Sequence, residues 1–194
     1  MQIITQIYTN SIEIKKSTFL AFLCPYEHFK TLLSDLKQKH PKAVHFVYAY
    51  RYLNNFNQIV EDKSDDGEPK GTSGMPSLNV LRGFNLINTA VIVVRYFGGI
   101  KLGTGGLVKA YSDAVNEVIF HATLIPFEIK EKIEIAINIK NLGRLEYFLN
   151  SNTLKFERNF INERVILSFY VNANEKEKFE IFCKNFTPLE IQRQ

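Results

Sequence analysis

Three acids, Asp65, Asp66 and Glu68, stand at the head of a stretch that contains no acid at all from Pro69 to Ser112. The same stretch carries five bases, Lys70, Arg82, Arg95, Lys101 and Lys109. Nine of the ten glycines lie between Asp65 and Tyr111, the exception being Gly143. Glycine is used where φ must be positive or where another group must approach the backbone closely. Clustering of this kind marks two shaped loops. For the acids, three readings stand open. They form a solvated turn, they orient or neutralise the bases of the second loop, or they hold a divalent metal.

The second loop has a readable context. Ala90–Arg95 is a β-branched apolar run of strand length. Gly98-Gly99 and Gly103-Thr104-Gly105-Gly106 follow it, and a helical pattern then places Leu107, Tyr111, Ala114, Val115 and Val118 on one face. Thr104 is expected to be the N-cap. A strand, a glycine loop and a helix N-terminus can bind anions, because unpaired N–H groups and the positive end of the dipole point outward together. Lys101 and Lys109 flank that point.

Better-known loops do not fit. No Gly-Lys-Ser/Thr follows the glycines, so this is not a Walker A loop. Gly103 and Gly105 give G-x-G, but Val108 stands where the third glycine of a dinucleotide fingerprint belongs. Asp62, Ser64, Asp66 and Gly67 half-match a calcium loop, which fails at Ser73, where a glutamate is required, and at Pro69.

The elements that must position these residues are legible in outline. Ile12–Cys24 reads as a strand pair broken near Lys15-Lys16-Ser17. Those lysines are either an exposed turn or ligand contacts. Phe29, Leu32, Leu33 and Leu36 mark a helix ending near His40-Pro41. Ala43–Tyr52 alternates as a central strand, with His45 a satisfied histidine or a proton shuttle. Asn54–Met75 reads as one long polar loop, and Pro76–Leu86 begins as a helix. Arg95 closes a buried strand, so its charge is paired, capping or turned to a ligand. Tyr96 and Phe97 either pack in the core or stack on bases.

Past a boundary near Leu124–Glu128, Ile133, Ile135, Ile137 and Ile139 alternate in a half-buried strand. Asn141 is expected to cap a helix. Strands are expected around Leu154–Phe156 and over Val165–Val171. Asn174 with Glu177 reads as a capping box for a helix carrying Phe179, Phe182 and Phe186. Leu189 and Ile191 suggest a last strand. The order β-α-β-β-α-β is a split, ferredoxin-like unit.

At 194 residues and 45% hydrophobic content, the chain is one large domain or two small ones. The net charge of +4 is spread evenly: residues 1–128 hold 13 bases and 11 acids, the remainder 11 and 9. This excludes a basic arm or tail and leaves a polyanionic partner allowed without demanding one. Met1–Asn10 has no basic start and the apolar runs are too short to span a bilayer, so a cytoplasmic protein without a membrane partner is expected. The two cysteines, Cys24 and Cys183, read as buried free thiols, with a single disulfide as the alternative.

Asp65–Gly74, DDGEPKGTSG, and Arg95–Leu107, RYFGGIKLGTGGL, resemble the two signature segments of the IMPACT (YigZ) family. Lys15-Lys16-Ser17-x-Phe19, Ala43-Val44-His45 and Ala49-Tyr50 also resemble it. Lys109 departs mildly, since the pattern usually has Arg there; the charge is kept and bidentate phosphate contact would be weaker. The motifs span the first two thirds, and the last third fits the small C-terminal domain of bacterial members.

The resemblance implies an α+β fold in two domains. Residues 1–126 would form a ribosomal-protein-like α/β domain similar to domain IV of elongation factor G. Residues 127–194 would form a ferredoxin-like domain similar to domain V of that factor. Eukaryotic relatives regulate translation by competing for an activator of the kinase that senses uncharged tRNA; that partner system is not implied for a bacterial-type chain.

Three functions follow. The first is a non-enzymatic regulator of translation or stress response that binds RNA or the ribosome. Lys16, Arg95, Lys101 and Lys109 would contact phosphates, Gly103, Thr104, Gly105 and Gly106 would offer N–H groups, and Tyr96 or Phe97 would stack. The second is a hydrolase-type enzyme on a phosphate-bearing or peptide substrate, using Asp66, Glu68 and His45. No nucleophile–base pair and no metal-ligand spacing is legible, and no cofactor is implied. The third is a protein-docking module.

Overall fold

Thr89–Tyr96, the β-branched run, is the middle strand of a five-stranded sheet. A computed structural model describes residues 1–185 and 191–193. The chain divides into two units, Met1–Phe127 and Glu128–Gln194. In chain order the first unit contains β1 (Gln2–Ile3), β2 (Tyr8–Ile14), β3 (Ser17–Pro25), α1 (Phe29–Lys39), β4 (His45–Leu53), β5 (Ile59–Ser64), α2 (Gly74–Gly83), β6 (Thr89–Tyr96), α3 (Gly103–Phe120) and β7 (Ile125–Pro126). Strands run in the order β2-β3-β6-β4-β5, each antiparallel to its neighbour. The short β1 pairs with β7.

Both faces of this sheet are covered, which is why β6 reads as a continuous apolar run rather than an alternating one. Phe19, Ala21, Val47, Ala49, Val91 and Val93 pack under α2 and α3 through Leu78, Leu81, Leu107, Tyr111 and Val115. Ala90, Ile92 and Val94 face the other way, toward Phe29 and Leu36 of α1. The expected strand pair, the end of α1 and the strand–loop–helix order all stand. β4 is an interior strand as expected, paired on both sides, and β6 beside it is the middle one.

The long polar loop is shorter than expected, because β5 runs through it as a hairpin partner of β4. Its sequence, IVEDKS, hides the strand. As an edge strand it pairs on one side only and carries charges, as edge strands do. Glu61 on β5 accepts from Arg51 Nε of β4 at 2.7 Å and pairs with Arg82 of α2. What remains is the hairpin turn 54–58 and the loop Asp65–Ser73. Helix α2 begins earlier than Pro76 and ends before Leu86.

The second unit contains β8 (Glu131–Asn138), α4 (Leu142–Ser151), β9 (Phe156–Ile161), β10 (Arg164–Val171), α5 (Ala173–Cys183) and β11 (Ile191–Arg193). The sheet order is β11-β8-β10-β9, all antiparallel, with β-α-β-β-α-β connectivity as expected. Ile135, Ile137, Val165, Leu167 and Phe169 pack against Leu145, Leu149 and Phe179.

Asn141 stands at the N-cap of α4 as expected but makes no side-chain cap bond. The side-chain cap is on the 3₁₀ turn before α4, where Asn138 accepts from the Lys140 N–H. The capping box of α5 is Asn172 with Glu175, not Asn174 with Glu177. The pair occurs twice at the same spacing. The first copy is used because Asn172 follows β10 directly and keeps the extended backbone that an N-cap requires. Phe186 and Leu189 lie outside the described residues. No helix among the described residues is long and apolar enough to cross a membrane.

Candidate functional site

Register across three strands builds the floor of the site. Arg95 of β6 lies opposite Phe19 of β3 and opposite His45 of β4. Opposed residues share a face, and this face is the one that α3 covers. From above, the Asp65–Ser73 loop brings in Glu68, and α3 brings in Tyr111. Arg95 Nη1 donates to Glu68 Oε1 at 2.5 Å, and the Tyr111 hydroxyl donates to the same oxygen at 2.8 Å. His45 Nε2 faces Glu68 Oε2 at 3.8 Å. Glu68 is 7% exposed and Arg95 5%, so this ion pair is inside the protein. Burial first, then the Glu68 carboxylate, pushes the Tyr111 hydroxyl far above its ordinary range, so it stays a donor.

Each acid of the loop is engaged. Asp65 takes the N–H groups of Gly71 (2.8 Å), Ser73 (3.2 Å) and Gly74 (2.8 Å) and the Ser73 hydroxyl (2.7 Å). It thereby closes the loop and satisfies the entry to α2. The Asp66 carboxylate accepts from Phe46 N–H at 2.6 Å, while its carbonyl oxygen lies 2.7 Å from His45 Nδ1. Of the three readings for the acids, the geometry fits orientation and neutralisation. Among the described residues, no group of three or more His, Cys, Asp or Glu is arranged to hold a metal ion.

The two glycine loops and the lysine turn meet. Lys15 and Lys16 turn with φ of 47° and 65°. Gly98 is pressed onto that turn so closely that a Cβ there would lie 2.0 Å from the Lys16 carbonyl, and its N–H donates to Ser17 Oγ at 3.2 Å. A cleft of about 390 Å³ opens beside them, lined by Glu68, Pro69, Arg95, Phe97, Lys101, Leu102, Gly103, Thr104 and Leu107. The Arg95 guanidinium carbon sits 5.4 Å from the Phe19 ring centre and 5.7 Å from that of Phe97.

The Impact N-terminal domain family matches residues 15–119, which contain every residue of this site from Lys16 to Lys109. This chain belongs to the IMPACT family. It is 31% identical over 181 residues to the IMPACT family member YvyE of Bacillus subtilis, covering 92% of this chain and 82% of that protein. To the IMPACT family member YigZ of Escherichia coli it is 41% identical over 114 residues, 57% of this chain and 56% of that one. A crystal structure described as that of a hypothetical protein superposes with a TM-score of 0.63 at 30% identity, covering 99% of this chain and 95% of the other. The bacterial two-domain type, inferred from the signature segments together with the last third of the chain, therefore stands.

Within the IMPACT signature, not every expected contact residue reaches the cleft. Arg95 lines it, but its charge is cancelled by Glu68. Tyr96 faces the other side of the sheet, because neighbours on a strand point oppositely; its hydroxyl lies 2.8 Å from His40 Nδ1. Lys109 is on the exposed side of α3, paired with Asp113 at 3.0 Å. Thr104 is not the N-cap. The cap position is Leu102, which has no side-chain cap bond, and Gly103 enters the helix with φ of 74°. Gly105 is exposed, and Gly106 is half-buried against Leu102. Sequence reasoning placed Tyr111 in the core and missed its hydroxyl. A signal existed: a tyrosine on the buried face of a helix needs an acceptor for its hydroxyl.

Proposed function

We propose that this IMPACT family member is a non-enzymatic, cytoplasmic regulator of translation or stress response that binds RNA or the ribosome. Its contact surface is the edge of the first unit where the Lys16 turn, the Gly98-Gly99 loop and the start of α3 come together. The N-terminal domain, residues 1–126, carries that surface, and residues 127–194 form the small second domain.

The observation that carries the reading is the cleft at the start of an uncapped helix with Lys101 on its wall. Lys16 and Lys101 contact phosphates, and the N–H groups of Gly103–Gly106 take an anion. Arg95 has a different part from the one expected of it. It is held by Glu68, shapes the cleft and backs Phe97. The regulatory role rests on the family resemblance.

The test is sedimentation with ribosomes from a cell lysate at low and high salt, for wild type and a Lys16→Gln/Lys101→Gln variant. Salt-sensitive co-migration that the variant loses supports the reading. Co-migration untouched by the variant moves the surface elsewhere, and no co-migration removes the ribosome. A second reading, a protein-docking surface, draws on Phe97, Ile100 and Val108, which are exposed at 49%, 43% and 39% along the same loop and helix start. A tight, salt-insensitive protein complex that ignores RNA would favour it.

A further inference from the structure

The geometry points to a one-nucleotide subsite in this cleft: a phosphate at the start of α3 beside Lys101, and an unpaired base on the Phe97 ring. This inference rests on the RNA reading above and makes it specific. The ligand is single-stranded RNA rather than duplex.

Few uncompensated charges line the cleft. Arg95 and Glu68 cancel, which leaves Lys101 and the helix terminus. Helix α3 runs 18 residues, and its N-cap makes no side-chain hydrogen bond. Its first N–H groups have no acceptor within the helix. Gly103 and Thr104 line the cleft there, and around Gly105 nothing lies within 4 Å of where a Cβ would be. A second observation is independent of the helix. Arg95 lines the same cleft, is 5% exposed, and keeps its Nε without a hydrogen-bond partner among the described residues. Buried N–H groups of a charged side chain are rarely left so, because the desolvation is uncompensated. An anion seated between Lys101 and the helix start supplies negative charge beside it.

The rest of the lining is apolar. Pro69, Leu102 and Leu107 belong to it, and Phe97 is 49% exposed. Arg95 sits 5.7 Å from the Phe97 ring centre and leaves the ring accessible to a flat partner. Bases stack on such rings whatever their sequence. The volume, about 390 Å³, lies near the small end of ordinary ligand sites, which run from about 300 to 1,000 Å³. That is room for one nucleotide. A base held in a duplex is stacked on both sides and cannot enter, so the ligand must offer an unpaired one.

Fluorescence anisotropy tests this with a labelled single-stranded oligouridine of eight residues and a duplex of equal length. The proteins are wild type, Phe97→Ala, Phe97→Tyr and Lys101→Gln, each checked for an unchanged far-UV spectrum. Wild type is expected to prefer the single strand. Phe97→Ala is expected to lose about tenfold or more, the loss of one stacked base, with no change in salt dependence. Phe97→Tyr is expected to restore binding. Lys101→Gln is expected to flatten the slope of log affinity against log salt by about 0.7, one phosphate contact on a single strand. Single-strand binding that survives Phe97→Ala intact overturns the subsite and leaves the RNA reading standing. Equal or tighter binding of duplex also overturns the subsite alone. Absence of RNA binding by wild type overturns both, and tight binding of an apolar peptide in its place would hand the cleft to a protein ligand.

Discussion

Glu68 and Arg95, 27 residues apart in sequence, meet at 2.5 Å as a buried ion pair that ties the two signature loops together. Taking both charges out of water is costly, and removing one partner costs more than removing both. Glu68→Gln keeps an acceptor for the Tyr111 hydroxyl but leaves the Arg95 charge uncompensated. It is expected to destabilise the fold by about 3–5 kcal/mol. Arg95→Met is expected to cost a similar amount, and the double variant less than the sum of the two. Urea denaturation of the four proteins measures this. A loss below about 1 kcal/mol in each single variant would put the pair in the class of screened surface bridges.

Gly98 has no room for a side chain. A Cβ there would lie 2.0 Å from the Lys16 carbonyl carbon and oxygen and 2.5 Å from Ser17 N. All three are backbone atoms, so no rotamer change relieves the clash, and the turn must move. Gly98→Ala is therefore expected to lower stability by about 3 kcal/mol, the upper range of overpacking, and to shift the amide resonances of Lys16 and Ser17. Gly99→Ala is the control. Its φ is 84° with nothing within 4 Å, so it carries only the left-handed strain of about 1–2 kcal/mol and should leave those resonances in place.

Cys24 is buried in β3, and burial pushes its thiol up to about 12. At pH 8 almost none of it is thiolate, and the thiolate is the nucleophile. In a Cys183→Ser background the native protein should resist a disulfide reagent such as Ellman's at pH 8 for as long as it stays folded. It should react within the mixing time in denaturant. Rapid modification of the native protein would show β3 opening locally.

How much of this was legible depended on whether the signal lay within one element. The eight residues of β6 and the helical pattern of α3 are strong local patterns, and both loops announced themselves by glycine. Strand β5 was not legible, because an edge strand has no apolar face to conserve its period. Tyr96 was grouped with Arg95 and Phe97 by proximity in sequence, whereas the pleat sends Tyr96 to His40 on the far face. The pairing of Glu68 with Arg95 was one of several open readings. The register of β6 against β3 and β4 places Arg95, a property of three strands at once, and the loop that Asp65 closes brings Glu68 to it.

Asp65 supplies the pH dependence. Burial alone would raise its carboxyl; the N–H groups of Gly71, Gly74 and Ser73 and the Ser73 hydroxyl together outweigh that and hold it below its ordinary value of 3.8. A carboxyl lowered on folding adds stability that is present above the unfolded value and lost as pH falls through the folded one. Asp65→Asn keeps one acceptor oxygen and loses the charge and the other. It is expected to cost about 2 kcal/mol at neutral pH, in line with hydrogen bonds to a charged group. The gap between wild type and variant should hold from neutral pH down to about 5. Below the ordinary value near 3.8 it should close, because protonation takes from the wild type what the substitution has already taken from the variant. Thermal melts of both proteins across that range decide the matter. A gap that stayed constant into strong acid would mean that Asp65 contributes through its shape alone, and that the closure of the Asp65–Ser73 loop over Glu68 owes nothing to its charge.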